Sequence, residues 1–345
     1  MELSKEQSSQ IKGLGILLIM IHNFVDKIQD IHCNEMFFSM EYRDIFLSNV
    51  FSSSSIWYIL SYAGWIGVPL FLFLSGYGLT KKYNSQQNTL NTITYLKSHV
   101  LKLLKLLLPV YLLYVIIYHF CFHNMYGIRS TLAHMTFTIN LLSYGNNGFY
   151  LEPGVYWFFG AILQFYILFL FIRKFNIKWL CIIGIVFLCI HYFALYFADN
   201  ETMEWIRHNF FGWGTSFVAG MIAAKTHITI SDRWKLPVGL ISFIILCISL
   251  VTKFLAPFVE ISTIILTICL LNALRTKWIY FLGLISASVF VLHPFFRMIF
   301  LNLFPDSDYP ILLTIIYAIT VIIFSWLHHS ILNRSFKTKG IKAIK

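Results

Sequence analysis

Apolar blocks of about twenty residues recur along this chain from residue 11 to residue 332, with short charged or polar stretches between them. At ~1.5 Å of helical rise per residue, a block of that length matches the ~30 Å hydrocarbon core of a bilayer. The chain is 58% hydrophobic and only 12% charged, too few charges to cover a soluble surface. The spacing predicts an all-α, polytopic membrane protein of ten spans around a polar cavity. The spans fall near 11–28, 57–80, 99–119, 154–173, 178–198, 205–226, 236–252, 256–274, 278–300 and 309–332. The stretch 131–143 is apolar but short, and reads as a re-entrant or interfacial piece. The chain is expected to form one membrane domain over residues 1–345.

The charges set the expected topology. With ten spans, one side receives Lys5, Lys12, Lys81, Lys82, Lys97, Lys102, Lys105 and the basic residues near 173–178, 225–235, 275–277 and 334–345, which is 20 of the 26. The other side receives Lys27, Arg43, Arg129, Arg207, Lys253 and Arg297. Lysine and arginine are retained in the cytoplasm, so both termini are expected there, in a cell membrane. The net charge of +11 reflects this bias and implies contact with anionic lipid headgroups, not nucleic acid. The first span lacks a small-residue cleavage site and reads as a retained signal anchor. Of the six cysteines, four lie within spans and none forms a CxxC, so they read as packing residues.

The first span, IKGLGILLIMIHNFV, embeds His22 and Asn23 in apolar sequence and begins at Lys12. Polar groups at that depth are costly and face a bundle interior or a wet cavity. His22 lies ~15 Å deeper than Lys12. Asn23 shares the face of Lys12 within ~20°, and His22 is ~80° away, so both can line one cavity. An imidazole there can take a proton from a hydroxyl; it can equally be hydrogen-bonded between helices as structural glue. The second span, GWIGVPLFLFLSGYGL, is rich in small residues for close helix approach. Its Gly76 and Gly78 allow an opening around a ligand near Ser75 and Tyr77. Lys102 and Lys105 share one face of the third span at its cytoplasmic edge, where amines suit phosphates, though the positive-inside rule alone also accounts for them. Trp157, Gly160 and Gln164 share a face of the fourth span, and mid-membrane Gln164 needs a partner. In the ninth span, ISASVFVLHPFFR, Ser286 and His293 share a face and Arg297 follows one turn on.

The long loops near 29–56 and 120–153 are expected outside. They carry Asp30, Glu35, Glu41, Asp44, Tyr126, Asn140, Asn146, Asn147, Tyr150 and Glu152, a set that suits a carbohydrate but also an ordinary hydrated loop. No metal-ligand cluster is visible. No inverted pair of broken helices appears, which disfavours the common secondary-transporter plans.

Taken in order, IKGLGILLIMIHNF, GVPLFLFLSGYGL, KLLKLLLPVY, VYWFFGAILQFY and SASVFVLHPFFR resemble the acyltransferase-3 family of multi-pass membrane acyltransferases. The resemblance implies ten core helices and transfer of acetyl from cytosolic acetyl-CoA to an extracytoplasmic sugar hydroxyl. By position it implies His22 as general base, with Asn23 or His293 orienting it or stabilising the oxyanion. It matches Lys12, and Lys102 and Lys105 ahead of Pro109, to the family's basic residues, which implies a donor site there; Ser75 and Tyr77 are expected on the donor as well, and Trp157, Gln164 and Arg297 on the acceptor. The family more usually has arginine at the three lysine positions, and its histidine eleven residues after the first basic residue. In this chain that position is Asn23, with His22 one step earlier. The rival reading is a transporter or flippase for a glycan or lipid-linked intermediate, which would consume no thioester.

Overall fold

A computed structural model describes residues 2–31, 38–83, 90–123, 127–142, 152–226, 230–305 and 308–342, with side chains for all of these except Ala63 and 334–342. Cys33, Glu35, Tyr126, Asn146, Asn147 and Tyr150 lie outside the described residues. Among the described residues, the secondary structure is entirely helical.

Six helical stretches are long and apolar enough to cross a membrane: Ser55–Tyr83, Thr92–Phe120, Ile177–Phe197, Asp232–Val251, Lys277–Leu303 and Pro310–Asn333. Trp157–Ile172 and Ala256–Cys269 are apolar but shorter. The helices are α1 (Lys5–Ile28), α2 (Met40–Asn49), α3 (Ser55–Gly64), α4 (Gly67–Tyr83), α5 (Thr92–Phe120), α6 (Ile128–Met135), α7 (Ile139–Leu142) and α8 (Trp157–Ile172). They continue as α9 (Ile177–Phe197), α10 (Asn200–His208), α11 (Phe210–Lys225), α12 (Asp232–Val251), α13 (Val259–Cys269), α14 (Lys277–Leu303) and α15 (Pro310–Lys342). In the stretch near 131–143, the described residues form two short helices, α6 and α7.

The sequence suggested an opening of the second span at Gly76–Gly78. Instead α4 is unbroken there, and the break falls at Trp65–Ile66, between α3 and α4. Gly76 is used for packing: a methyl on it would collide with the Phe217 carbonyl of α11. The span cysteines also differ from expectation. Cys181, Cys189 and Cys247 are exposed on the bundle surface and only Cys269 is buried. A thiol is apolar enough to face lipid as readily as a helix neighbour.

Position in the bundle is set by close backbone approaches. α1 starts cleanly, because Ser4 and Gln7 form a reciprocal capping box. It then meets α14 at Gly13 and Gly283, where a methyl on either glycine would strike a carbonyl of the other helix, Ile279 or Ser9. Farther along, Phe24 of α1 lies near Phe300 of α14, so the two helices run parallel. α3 and α4 run antiparallel to α1: Gly64 sits against His22, and Gly67 against Gly15. One apolar cluster joins α1, α5, α14 and α15; another joins α4, α8, α9 and α11.

Candidate active site

His22 is placed by the break in the second span. Ser61 is in the last turn of α3, whose final carbonyls have no partner within the helix. His22 donates from Nδ1 to the Ser61 carbonyl at 2.6 Å. A carbonyl only accepts, so the proton is on Nδ1 and Nε2 keeps its lone pair. Gly64, one turn after Ser61, makes this approach possible, since a side chain there would occupy the space of the His22 Cβ. The Ser61 hydroxyl in turn donates to Asp26 Oδ1 at 3.1 Å, one turn beyond His22 on α1.

Asn23 has a different job. Its Nδ2 donates to the Ile19 carbonyl at 2.8 Å, and its Oδ1 accepts from Arg297 Nη1 at 3.1 Å. Arg297 also donates from Nη2 to the Pro153 carbonyl at 2.6 Å. The guanidinium therefore ties α1, α14 and the segment leading into α8 at one level of the bundle.

A cavity of about 420 Å³ opens between the two apolar clusters. It is lined along α1 by Lys12, Ile19, His22, Asn23, Asp26 and Lys27, a run of ~22 Å. Ser75 of α4 and Ser286 of α14 also line it, as do Glu152, Arg207 and Arg297. One wall is indole: Trp157 and Trp213 stack at 6.0 Å, and Trp65 meets Trp213 edge-on at 6.1 Å.

The cavity thus brings together Lys12, His22, Asn23, Ser75, Trp157 and Arg297. It does not bring in His293, which is fully buried, with Nδ1 on the Val289 carbonyl at 3.1 Å and its ring 5.7 Å from Phe290. Tyr77 turns away, and its hydroxyl accepts from the Leu3 amide at 2.8 Å. Gln164 finds the partner it needs outside the cavity: it donates to Asn209 Oδ1 at 2.6 Å and accepts from the Phe210 amide at 2.9 Å. Lys102 and Lys105 are exposed, while Leu103 and Leu106 line the cavity. The lysines sit ~70° and ~130° around α5 from the midpoint of those leucines.

Sequence reading missed Asp26, Ser61, Trp65, Trp213, Arg207 and His208. Asp26 had a local signal, four residues after His22 and so on its face. Ser61 had none, because what it offers is a backbone carbonyl released by a helix break. Among the described residues, no group of His, Cys, Asp and Glu is placed to hold a metal ion.

Residues 9–330 match the family model described as an acyltransferase domain. No curated protein and no solved structure matches the chain. With nearly the whole chain covered and a bundle of long apolar helices beneath it, this multi-pass membrane protein belongs to the acyltransferase-3 family.

Proposed function

We propose that this protein is a membrane O-acyltransferase that passes acetyl from acetyl-CoA, at the Lys12 end of the cavity, to a carbohydrate hydroxyl at the Arg297 end. The observation that carries this reading is a single cavity lined by Lys12 and, ~15 Å farther along α1, by His22, with Arg297 beside it on Asn23. His22 Nε2 takes the hydroxyl proton as the oxygen attacks the thioester carbonyl, and returns it to the departing thiolate. Lys12, with the exposed Lys102 and Lys105 of α5, holds the donor phosphates, and Ser75 lies along the donor arm. Trp157 and Arg297 belong to the acceptor side. Asn23 is the group to examine as a second catalytic residue.

The membrane topology goes with this reading. Six long apolar helical stretches, the two shorter ones, α1 and α11 together make ten crossings. The parallel run of α1 and α14 supports the count, because eight crossings separate their starting points. Both termini are then cytoplasmic, in a cell membrane.

The test is purified protein in sealed vesicles that carry the surface glycan inside and receive acetyl-CoA outside. Thiol release together with an acetyl mass increment on the glycan is expected. His22→Ala should lose ~10²–10⁴-fold in rate while still inserting and folding. Glycan movement without thioester consumption would establish a transporter instead.

A further inference from the structure

The groups around His22 form a closed chain. His22 Nδ1 donates to the Ser61 carbonyl at 2.6 Å, and the Ser61 hydroxyl donates to Asp26 Oδ1 at 3.1 Å. Asp26 returns to His22 through one turn of α1, since residues four apart share a helix face. Two helices and three residues thereby fix one imidazole. The fixing is needed because α3 ends three residues after Ser61, and the last turn of a helix frays unless something outside it holds it. His22 and Ser61 are nearly or fully buried, so bulk water does not compete for these bonds. Asp26 lies on the cavity surface, next to the imidazole.

We propose that Asp26 is a positioning residue for His22, acting through Ser61. By anchoring the Ser61 hydroxyl, the carboxylate holds the carbonyl that captures the Nδ1 proton, which keeps the Nε2 lone pair aimed into the cavity. Its charge, one turn away, also favours the imidazolium that forms when Nε2 takes a proton. This logic matches other sites where a partner group fixes the tautomer and orientation of a working histidine. The role in turnover rests on the acyl-transfer reading above; the holding of the imidazole does not.

Two readouts on the full-length protein in lipid vesicles separate these points. The first is the rate at which diethyl pyrocarbonate acylates His22, followed by peptide mass spectrometry, which reports a neutral, exposed Nε2 and needs no glycan. The second is thiol release from acetyl-CoA in vesicles containing native surface glycan. Asp26→Ala and Ser61→Ala, each of which removes the hydroxyl–carboxylate bond, are expected to slow His22 acylation and kcat together, by roughly ten- to hundredfold. The KM for acetyl-CoA should stay within about twofold, and the double variant should be no worse than the weaker single one, because both changes break one chain. A role confined to folding would lower the amount of intact protein but not split kcat from KM in this way. Wild-type acylation and kcat in both variants would overturn the proposal, as would a raised acceptor KM at unchanged kcat, which would put Asp26 on the substrate. If Asp26→Ala fails to insert, Ser61→Ala carries the same forecast, because it removes the anchor and leaves the carbonyl in place. If the wild type releases no thiol, the acyl-transfer reading falls; if His22→Ala keeps full thiol release, His22 is not the base; in either case His22 acylation still decides whether Asp26 positions the ring.

Discussion

Asn23 and Arg297 lie 274 residues apart in the chain, yet the guanidinium donates to the amide oxygen at 3.1 Å. That bond joins the first helix of the bundle to the penultimate one. It occupies the residue that family spacing would make the base, and it leaves His22 as the imidazole that α1 presents to the cavity.

The clamp predicts an order of stabilities. Arg297 is 8% exposed and bonds to both Asn23 and Pro153. Arg297→Ala removes three bonds from a charged donor, to Asn23 Oδ1, the Asn23 carbonyl and the Pro153 carbonyl, each worth ~1.5–3 kcal/mol at good geometry. Asn23→Ala removes one of these and the neutral bond to the Ile19 carbonyl, so it should lower the melting temperature less. Arg297→Lys should behave more like alanine than like wild type, because one ammonium cannot span both acceptors. Thermal unfolding in detergent, followed by tryptophan fluorescence, ranks the three.

The α1–α14 seam predicts intolerance to a single methyl. A Cβ at Gly283 would meet the Ser9 carbonyl, which is backbone and cannot swing aside. Gly283→Ala should cost ~1–3 kcal/mol, as overpacking does. Gly78→Ala is the control, since nothing lies within 4 Å of the position its Cβ would take. Equal melting temperatures for the two variants would show that the seam is looser than described.

The lysines offer a split between topology and chemistry. Lys102 and Lys105 lie outside the cavity lining, and Lys12 lies within it. If all three hold donor phosphates, each alanine variant should raise the KM for acetyl-CoA by ~1.5–3 kcal/mol, roughly ten- to hundredfold. A wild-type KM for Lys102→Ala and Lys105→Ala, with only Lys12→Ala affected, would reduce the α5 pair to topological signals.

Glu260 makes the opposite kind of forecast. It is buried, and both the amide, at 3.0 Å, and the hydroxyl of Ser216 donate to it, pinning α13 to α11. It does not line the cavity. Glu260→Ala strands buried donors at ~1–3 kcal/mol each and should lower the yield of folded protein. The surviving molecules should turn over at the normal rate. Glu260→Gln, which keeps an acceptor oxygen, should recover most of the yield.

How much was legible beforehand depends on how local the signal is. The apolar blocks announced the helices because membrane burial acts on each segment separately. Lys12, His22 and Asn23 were visible because they interrupt such a block, and helical geometry put all three within reach of one cavity. His293 looked equivalent by the same rule. Yet its ring is enclosed within the protein and misses the cavity, which only the packing around α14 decides. Gln164 was rightly expected to need a partner, but Asn209 is 45 residues away and no periodicity names it. Glu260 falls inside the expected span 256–274, which names no partner for it; its pairing with Ser216 appears only when α11 and α13 are packed together.

His22, working as the base between donor and acceptor, also fixes how charge moves. In the proposed reaction the hydroxyl arrives neutral from one side and the thioester arm arrives neutral from the other. His22 passes a single proton between them, so the ester leaves neutral, and so does the thiol, whose pKa of ~8.5 keeps it mostly protonated at neutral pH. An acyl group has gone one way and a proton the other. Described as transport, the protein is an electroneutral exchanger. A membrane potential, which does ~2.3 kcal/mol of work per charge per 100 mV, has no net charge to act on. Its turnover should therefore ignore the voltage that drives so many of its neighbours in the bilayer.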